Sequence, residues 1–169
     1  MAYNHIINVL YWNAHSIQHK IHELYEYMTD NHIHVACVQE TFLKPHMKLY
    51  NHPAFVTHRL DREGSKGGGV AIIIRRNIKH KLLPHSKTAL IENISIVISL
   101  INGGSIVVTS AYMPSNAKPH QVVDFKNDIR KLTSPRQSFF VCGDFNARHR
   151  EWNCLRANKN GSILYEEFC

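Results

Sequence analysis

Apolar residues along the chain alternate between two spacings. Runs rich in β-branched and aromatic residues predict strands, and apolar residues at every third or fourth position predict helices. The predicted strands are Ile6–Trp12, Ile33–Val38, Val70–Ile74, Ile91–Ile101, Ser105–Tyr112 and Phe139–Cys142. The predicted helices are His15–Asp30, Lys118–Leu132 and Gly161–Phe168. Phe139–Cys142 is apolar throughout, which predicts a strand that is buried on both faces.

The order of these elements indicates the fold class. Asn102–Gly104 joins two long predicted strands, and its residues tolerate the positive φ angles of a hairpin turn. Hairpins mixed with helices differ from a simple alternation of parallel strands and helices. The pattern predicts an α/β (α+β) fold in which β-sheets are layered together with helices outside.

Polar side chains follow several of the predicted strands. Asn13 follows the first strand, Glu40 the second and Tyr112 ends the fifth, while Asp144 and Asn146 follow the last. Strand ends commonly present side chains to a shared cleft, and residues two apart in an extended chain face the same side. The alternative is structural, because Asn and Asp are also common turn and capping residues.

Such a set suits metal-assisted phosphoryl transfer. Mg²⁺ prefers carboxylate oxygens, keeps several waters and binds substrate phosphate. Glu40 is the candidate metal ligand and Asp144 the candidate base that orients water. Asn13, Asn146 and Tyr112 are the candidate polar frame around the phosphate.

Composition and charge narrow the class of protein. The 169 residues fit one domain, and 20 Lys and Arg against 13 Asp and Glu give a net charge of +7, which favours polyanionic partners. The four cysteines form no C-x-x-C pair, which suits a reducing compartment. The sequence shows no signal peptide and no membrane-spanning apolar run, so we expect a soluble intracellular protein without a membrane partner.

Five short motifs occur in an order that identifies a family. The stretches "WNAHS", "VQET", "GGGVAIIIR", "SAYMP" and "GDFNARHREW" resemble those of the endonuclease/exonuclease/phosphatase superfamily. The chain is most similar to the apurinic/apyrimidinic-endonuclease-like endonuclease domain of non-LTR retrotransposons of the Jockey-like kind. This resemblance implies a four-layer αββα sandwich of two mixed sheets and a dependence on Mg²⁺ or Mn²⁺.

The resemblance also implies roles for individual residues. Glu40 resembles the metal-ligand Glu of the family, and Asn13 resembles the Asn beside the metal and the phosphate. Tyr112 resembles the Tyr that faces the scissile phosphate. Asp144 resembles the Asp that activates water, and Asn146 resembles its phosphate-contacting Asn.

A substrate and a cellular setting follow from the same resemblance. Retroelement endonucleases nick one strand of chromosomal DNA to prime reverse transcription, which implies double-stranded DNA as substrate, a nuclear location and a parent polypeptide with a reverse transcriptase. Arg59, Arg62, Lys66 and Arg148 are candidate DNA contacts, although each also fits a solvated basic loop.

One family motif has no counterpart in this chain. Family members finish with further strands that carry Ser-Asp-His, whereas no Asp-His pair occurs here. We therefore expect residues 1–169 to be the N-terminal three-quarters of one domain lacking its final strands, with the first strand exposed at a sheet edge. Two alternatives stay open: a phosphomonoesterase of the same superfamily, or a nucleic-acid-binding remnant without catalysis.

Overall fold

Two four-stranded sheets face each other in the computed structural model, which describes residues 6–101, 103–115, 117–134 and 138–169. The first sheet has the order β1-β2-β4-β3 and contains β1 (Val9–Asn13), β2 (Val35–Gln39), β3 (Phe55–Leu60) and β4 (Val70–Arg75). The second has the order β5-β6-β7-β8 and contains β5 (His80–Leu82), β6 (Glu92–Ser99), β7 (Ser105–Tyr112) and β8 (Ser138–Asp144). Both sheets are mixed, because β1–β2 and β7–β8 pair in parallel and the other neighbours are antiparallel.

Helices cover the outer faces of both sheets. Helix α1 (Ile21–Asp30) packs on the first sheet, while α2 (Val122–Leu132) and α3 (Lys159–Phe168) pack on the second. Strand β2 is buried along its whole length because Val35 and Cys37 face the core between the sheets and Ala36 and Val38 face α1. The predicted four-layer αββα sandwich of two mixed sheets is confirmed. Among the described residues, no helix is long and apolar enough to cross a membrane.

The first helix begins later than its spacing predicts. His15 and Ser16 have φ angles of +41° and +77°, which no α-helix contains, and α1 begins at Ile21. The residues before it run beside the chain that follows β2, where the Ile17 amide donates to the Thr41 carbonyl at 3.1 Å. Ile17 is nevertheless fully buried, so its apolar character reflects core packing outside the helix.

Strand β8 is not the buried strand that its composition predicts. It lies at the edge of the second sheet with β7 as its neighbour, and the side chains of Phe139 and Phe140 are 42% and 44% exposed. Strand β1 lies at the edge of the first sheet, as expected, and contacts β8 across the sandwich. Among the described residues, these two edges form one side of the molecule. Strands β3 and β5 were not predicted.

The two parallel strand pairs bring their carboxyl ends to one rim of the sandwich. In the first sheet Asn13 pairs with Gln39, and in the second sheet Tyr112 pairs with Asp144. Strand β6 leads into β7 at the opposite end of the sandwich, and Asn102 of the hairpin turn predicted there falls outside the described residues. The rim therefore collects the polar residues that follow four strands.

Gly143 is predicted to be essential for the position of β8. A Cβ atom at Gly143 would lie 1.8 Å from the carbonyl oxygen of Ala111 in β7, which the backbone cannot accommodate without moving β8. We expect Gly143→Ala to lower the free energy of unfolding by at least about 2 kcal/mol, measured by urea denaturation. Gly64→Ala is the control: its Cβ meets no atom within 4 Å and the φ of +74° costs only about 1 kcal/mol. Equal stability of the Gly143→Ala and wild-type proteins would contradict this packing.

Candidate active site

Two carboxylates from opposite sheets share one amide group at the rim. Asn13 Nδ2, at the end of β1, donates to Glu40 Oε1 at 3.1 Å and to Asp144 Oδ2 at 2.9 Å. Glu40 follows β2 in the first sheet, and Asp144 ends β8 in the second. The neutral donor between them offsets the repulsion between two nearby negative charges. The structure therefore brings three of the predicted site residues into direct contact.

The backbone at Glu40 is held in a conformation that is uncommon for residues other than glycine. Its φ is +52°, and that of Phe42 is +56°. The Ser16 amide donates to the Glu40 carbonyl at 2.9 Å on one side, and the Phe42 amide donates to the Gly68 carbonyl at 2.9 Å on the other. Left-handed residues of this kind persist where neighbouring contacts fix them, and they concentrate at functional sites.

Three side chains donate hydrogen bonds to the Glu40 carboxylate. Besides Asn13, the Tyr112 hydroxyl donates to Oε1 at 2.9 Å, and His15 Nδ1 lies 3.2 Å from Oε2. Burial alone would raise the pKa of Glu40, but the hydrogen bonds from Asn13, Tyr112 and His15 outweigh it and lower that pKa below its ordinary value. Sequence reasoning missed His15, although it lies two residues after Asn13 in the "WNAHS" motif.

Tyr112 is a neutral hydrogen-bond donor at neutral pH. Burial and its hydrogen bond to Glu40 raise the pKa of Tyr112 well above its usual value. The Arg62 guanidinium lies over the phenol ring, with Cζ 5.7 Å from the ring centre. Arg62 in turn forms an ion pair with Glu92, whose other oxygen accepts from the Gly69 amide at 2.6 Å. The sequence analysis did not predict a role for Glu92 at the site, because a glutamate at the start of an amphipathic strand is usually exposed.

Asp144 and Asn146 are linked by a turn and not by an extended chain. Strand β8 ends at Asp144, and Asn146 has a φ of +48°. The Asn146 amide nitrogen donates to Asp144 Oδ1 at 2.9 Å, and Asn146 Nδ2 donates to the Met113 carbonyl at 2.8 Å. The two residues are neighbours at the rim, but their relation comes from this Asx-type turn.

The four predicted DNA contacts divide into two kinds. Arg59 is tied to the protein, with Nη2 2.8 Å from the Met47 carbonyl and 3.2 Å from the Asp61 carboxylate. Arg62 is engaged by Glu92 and the Tyr112 ring, as described. Within the described part of the chain, the exposed side chains of Lys66 and Arg148 form no hydrogen bond or ion pair. These two are therefore the cations that are free to meet a phosphate.

The rim fits a hard divalent cation. Glu40 and Asp144 supply carboxylate oxygens, which Mg²⁺ and Mn²⁺ prefer, and Asn13 holds the two carboxylates side by side. No group of three or more His, Cys, Asp or Glu residues that could form a complete ligand cage occurs in the described ranges. A site with few protein ligands is typical of Mg²⁺, which keeps waters and binds substrate oxygens at the remaining positions. The Asn13 oxygen accepts from the His15 amide at 3.3 Å, so its role as a ligand stays a prediction.

A polar contact between the sheets lies directly beneath this rim. Gln39 is fully buried, and its Nε2 donates to Ser110 Oγ at 2.8 Å across the sandwich. Ser110 Oγ also donates to the Val38 carbonyl at 3.2 Å. This contact ties β2 to β7 next to Glu40 and Tyr112. Sequence reasoning missed it because Ser110 stands inside a run that predicts a plain strand and Gln39 directly follows another such run.

Curated relatives of this chain include RNA-directed DNA polymerases of fly mobile elements. The chain is 29% identical over 156 residues to the RNA-directed DNA polymerase from mobile element jockey of Drosophila melanogaster, covering 92% of this chain. It is 28% identical over 160 residues to the probable RNA-directed DNA polymerase from transposon X-element of the same species, covering 94% of this chain. The chain spans only 16% and 17% of the length of these two relatives.

Solved structures with the same fold include nucleases. The endonuclease domain of TRAS1, a telomere-specific non-LTR retrotransposon, matches with a TM-score of 0.73 and 18% identity, over 95% of this chain and 70% of that one. The AP endonuclease LMAP from Leishmania major matches with a TM-score of 0.72 and 15% identity, over 95% of this chain and 65% of that one. At these identities the similarity establishes the fold.

A family model spans nearly the whole chain. The model described as the Endonuclease/Exonuclease/phosphatase family matches residues 10–166, which include Asn13, Glu40, Tyr112 and Asp144 at the rim. This match agrees with the order of motifs in the sequence and with the layered fold. The chain belongs to the Endonuclease/Exonuclease/phosphatase family.

Proposed function

We propose that this chain is a Mg²⁺- or Mn²⁺-dependent endonuclease that nicks one strand of double-stranded DNA to prime reverse transcription of a retroelement. The observation that carries the proposal is the shared contact of Asn13 with Glu40 and Asp144. The names of the curated relatives, which are RNA-directed DNA polymerases of mobile elements, support a parent polypeptide with a reverse transcriptase. Nuclear DNA is part of the proposal. The net charge of +7 supports a DNA substrate.

Each residue at the rim has a task in phosphodiester hydrolysis. Glu40, anionic at neutral pH, would hold a divalent ion whose remaining positions are open to water and substrate oxygens. The bound ion supplies positive charge that neutralises the charge developing on the phosphate. Asp144 would orient the attacking water and accept its proton, while the bond from phosphorus to the leaving 3′ oxygen breaks and that oxygen takes a proton from solvent. Asn13 keeps the Asp144 carboxylate next to Glu40. The second hydrogen of Asn146 Nδ2 is available for a non-bridging phosphate oxygen, and the Tyr112 hydroxyl would donate to another such oxygen once a bound ion takes its place on Glu40.

Substrate approach depends on the free cations beside the rim. Lys66 and Arg148 are exposed, and each can bind a phosphate of the DNA backbone. Arg59 and Arg62 are paired with Asp61 and Glu92, so their charges are balanced within the protein. Arg62 also holds the Tyr112 ring in place, which links the basic loop before β4 to the hydroxyl at the rim.

Loss of either rim carboxylate is predicted to abolish nicking. We expect Glu40→Gln and Asp144→Asn to reduce Mg²⁺-dependent nicking of supercoiled plasmid at least about 100-fold, because one loses the metal ligand and the other the base. The controls are Glu166→Gln and Asp124→Asn, which change exposed carboxylates on α3 and α2 and should nick like the wild type.

Three results would redirect the assignment. Nicking that survives both rim substitutions would show that the reaction takes place elsewhere. Release of inorganic phosphate from phosphomonoesters with no action on DNA would indicate a phosphatase. DNA binding with a steep salt dependence but no cleavage at any metal concentration would indicate a binding remnant.

Tyr112→Phe is predicted to shift the ionisation of Glu40. The folded pKa of Glu40 lies below its ordinary value of about 4.3, so its contacts stabilise the protein above that pH and are lost as the pH falls. Removal of the Tyr112 hydroxyl takes away a donor to the anion and should raise the pKa of Glu40, which the carboxyl-carbon NMR shift reports. Tyr27→Phe on the exposed face of α1 is the matched control. An unchanged Glu40 pKa in Tyr112→Phe would contradict the hydrogen bond.

Lys66→Gln is predicted to weaken DNA binding through charge alone. Loss of one phosphate contact should reduce the magnitude of the negative slope of log affinity against log salt by about 0.9, equally for all DNA sequences. Lys79→Gln removes an exposed charge before β5, at the far end of the sandwich, and should leave the slope unchanged. Equal slopes for Lys66→Gln and the wild type would remove Lys66 from the DNA interface.

A further inference from the structure

An aliphatic side chain stands fully in solvent beside the rim. Leu155 is 97% exposed, the most exposed large hydrophobic side chain among the described residues. It belongs to the loop of residues 148–158, which starts two positions after Asn146. Single exposed leucines are ordinary on protein surfaces. What distinguishes Leu155 is the structure of its loop and the charge around it.

The loop is fixed at its base by one asparagine. Asn158 Oδ1 accepts from the Arg148 amide and from the Gly161 amide, both at 2.9 Å, and Asn158 Nδ2 donates to the Asn146 carbonyl at 2.7 Å. Gly161 lies so close that a Cβ there would be 1.9 Å from the Arg148 carbonyl oxygen. The loop is therefore closed directly onto the Asp144–Asn146 turn.

The interior of the loop is also ordered. The His149 ring stacks on Tyr165 of α3 with centroids 4.1 Å apart, and the ring of Trp152 packs beside His149 at 5.5 Å. Asn153 takes a left-handed conformation, with φ of +59°, and its backbone N–H donates to the Arg150 carbonyl at 2.9 Å. Leu155 follows two residues later, so it projects into solvent directly after these hydrogen-bonded residues.

The charges of the loop favour a polyanion. The loop contains Arg148, Arg150 and Arg156 against one acid, Glu151, and all four side chains are exposed. None of the three arginine side chains has a hydrogen bond or ion pair within the described residues. An exposed apolar side chain in a loop with three unpaired arginines matches duplex DNA, because the cations can meet phosphates while an aliphatic side chain enters the base stack.

We propose that Leu155 is a wedge that enters a base step of the bound DNA duplex beside the phosphate held at the rim. This inference rests on the proposed endonuclease function and adds to it the means by which the duplex is deformed. Partial unstacking kinks the duplex, and pyrimidine–purine steps such as TA unstack most easily. The wedge therefore favours nicking next to flexible A·T-rich steps.

The test measures base unstacking and affinity without cleavage. The probe is a short alternating A·T duplex with several adenines replaced by 2-aminopurine, whose fluorescence rises when it unstacks, in the presence of a chelator. We expect the wild type to raise the fluorescence. Leu155→Ala should lose that rise and bind about tenfold more weakly, with an unchanged salt slope because no charge is removed.

Matched variants separate the wedge from other effects. Ile101→Ala removes another exposed aliphatic side chain, 71% exposed, at the opposite end of β7, and should behave like the wild type. Leu155→Met keeps a long apolar tip and should retain the fluorescence rise. Arg156→Gln should lower the salt slope by about 0.9 and keep the rise. Because Leu155 is in solvent, its variants should melt at the wild-type temperature.

Three results would overturn the proposal, and they are distinguishable. An equal fluorescence rise in Leu155→Ala and the wild type would remove the wedge while leaving plasmid nicking intact. Loss of the rise in Ile101→Ala as well would show that the signal does not report this loop. A wild-type protein that neither binds the duplex nor nicks plasmid would overturn the endonuclease function and the wedge together.

Discussion

The arrangement of this molecule depends on the placement of two carboxylates from different sheets beside one amide. Like charges at this separation repel each other unless a donor or a cation stands between them. Asn13 fills that position and joins Glu40 of the first sheet to Asp144 of the second. The contact exists only where β1, β2 and β8 end at the same rim, so the parallel pairing in each sheet and the face-to-face packing of the sheets are both required for it.

The backbone around this contact is fixed by hydrogen bonds and side-chain packing from neighbouring segments. The chain after β2 is fixed from both sides, by Ser16 and by the Gly68 carbonyl, and this keeps Glu40 in a left-handed conformation. Gly68 itself leaves room for Arg62, because a Cβ there would lie 2.2 Å from the guanidinium. The same guanidinium covers the Tyr112 ring. Gly68 therefore makes room for the Arg62 side chain, which in turn packs on the ring of Tyr112 at the rim.

The sequence predicted the layers and most of the rim, and its failures have physical causes. Strand ends at Asn13, Glu40, Tyr112 and Asp144 were found because a polar residue after an apolar run is conspicuous. The prediction that Phe139–Cys142 is buried was wrong, because an apolar run does not reveal whether a strand has one neighbour or two. The prediction that the first helix begins at His15 was wrong. Ile17 fits the helical spacing, but it is buried beside the chain that follows β2 and outside the helix.

Residues that act through a distant partner were missed for a different reason. Glu92, Gln39 and Ser110 look like ordinary strand positions until the two sheets are packed together. His15 is visible in its motif, but its contact with Glu40 spans 25 positions of the chain. Hydrogen bonds of this range depend on the register of the strands, which hydrophobic spacing does not specify.

We propose that the shared contact of Asn13 with Glu40 and Asp144 marks a divalent-metal site. An anomalous-scattering map from a crystal of the wild-type chain soaked in Mn²⁺ locates such an ion without reference to activity. We expect one strong peak in coordination range of a Glu40 carboxylate oxygen, on the side that faces Asp144, and its loss in crystals of Glu40→Gln. A peak only elsewhere on the surface, or a rim without Mn²⁺ at concentrations that support nicking, would show that the rim is not a metal site.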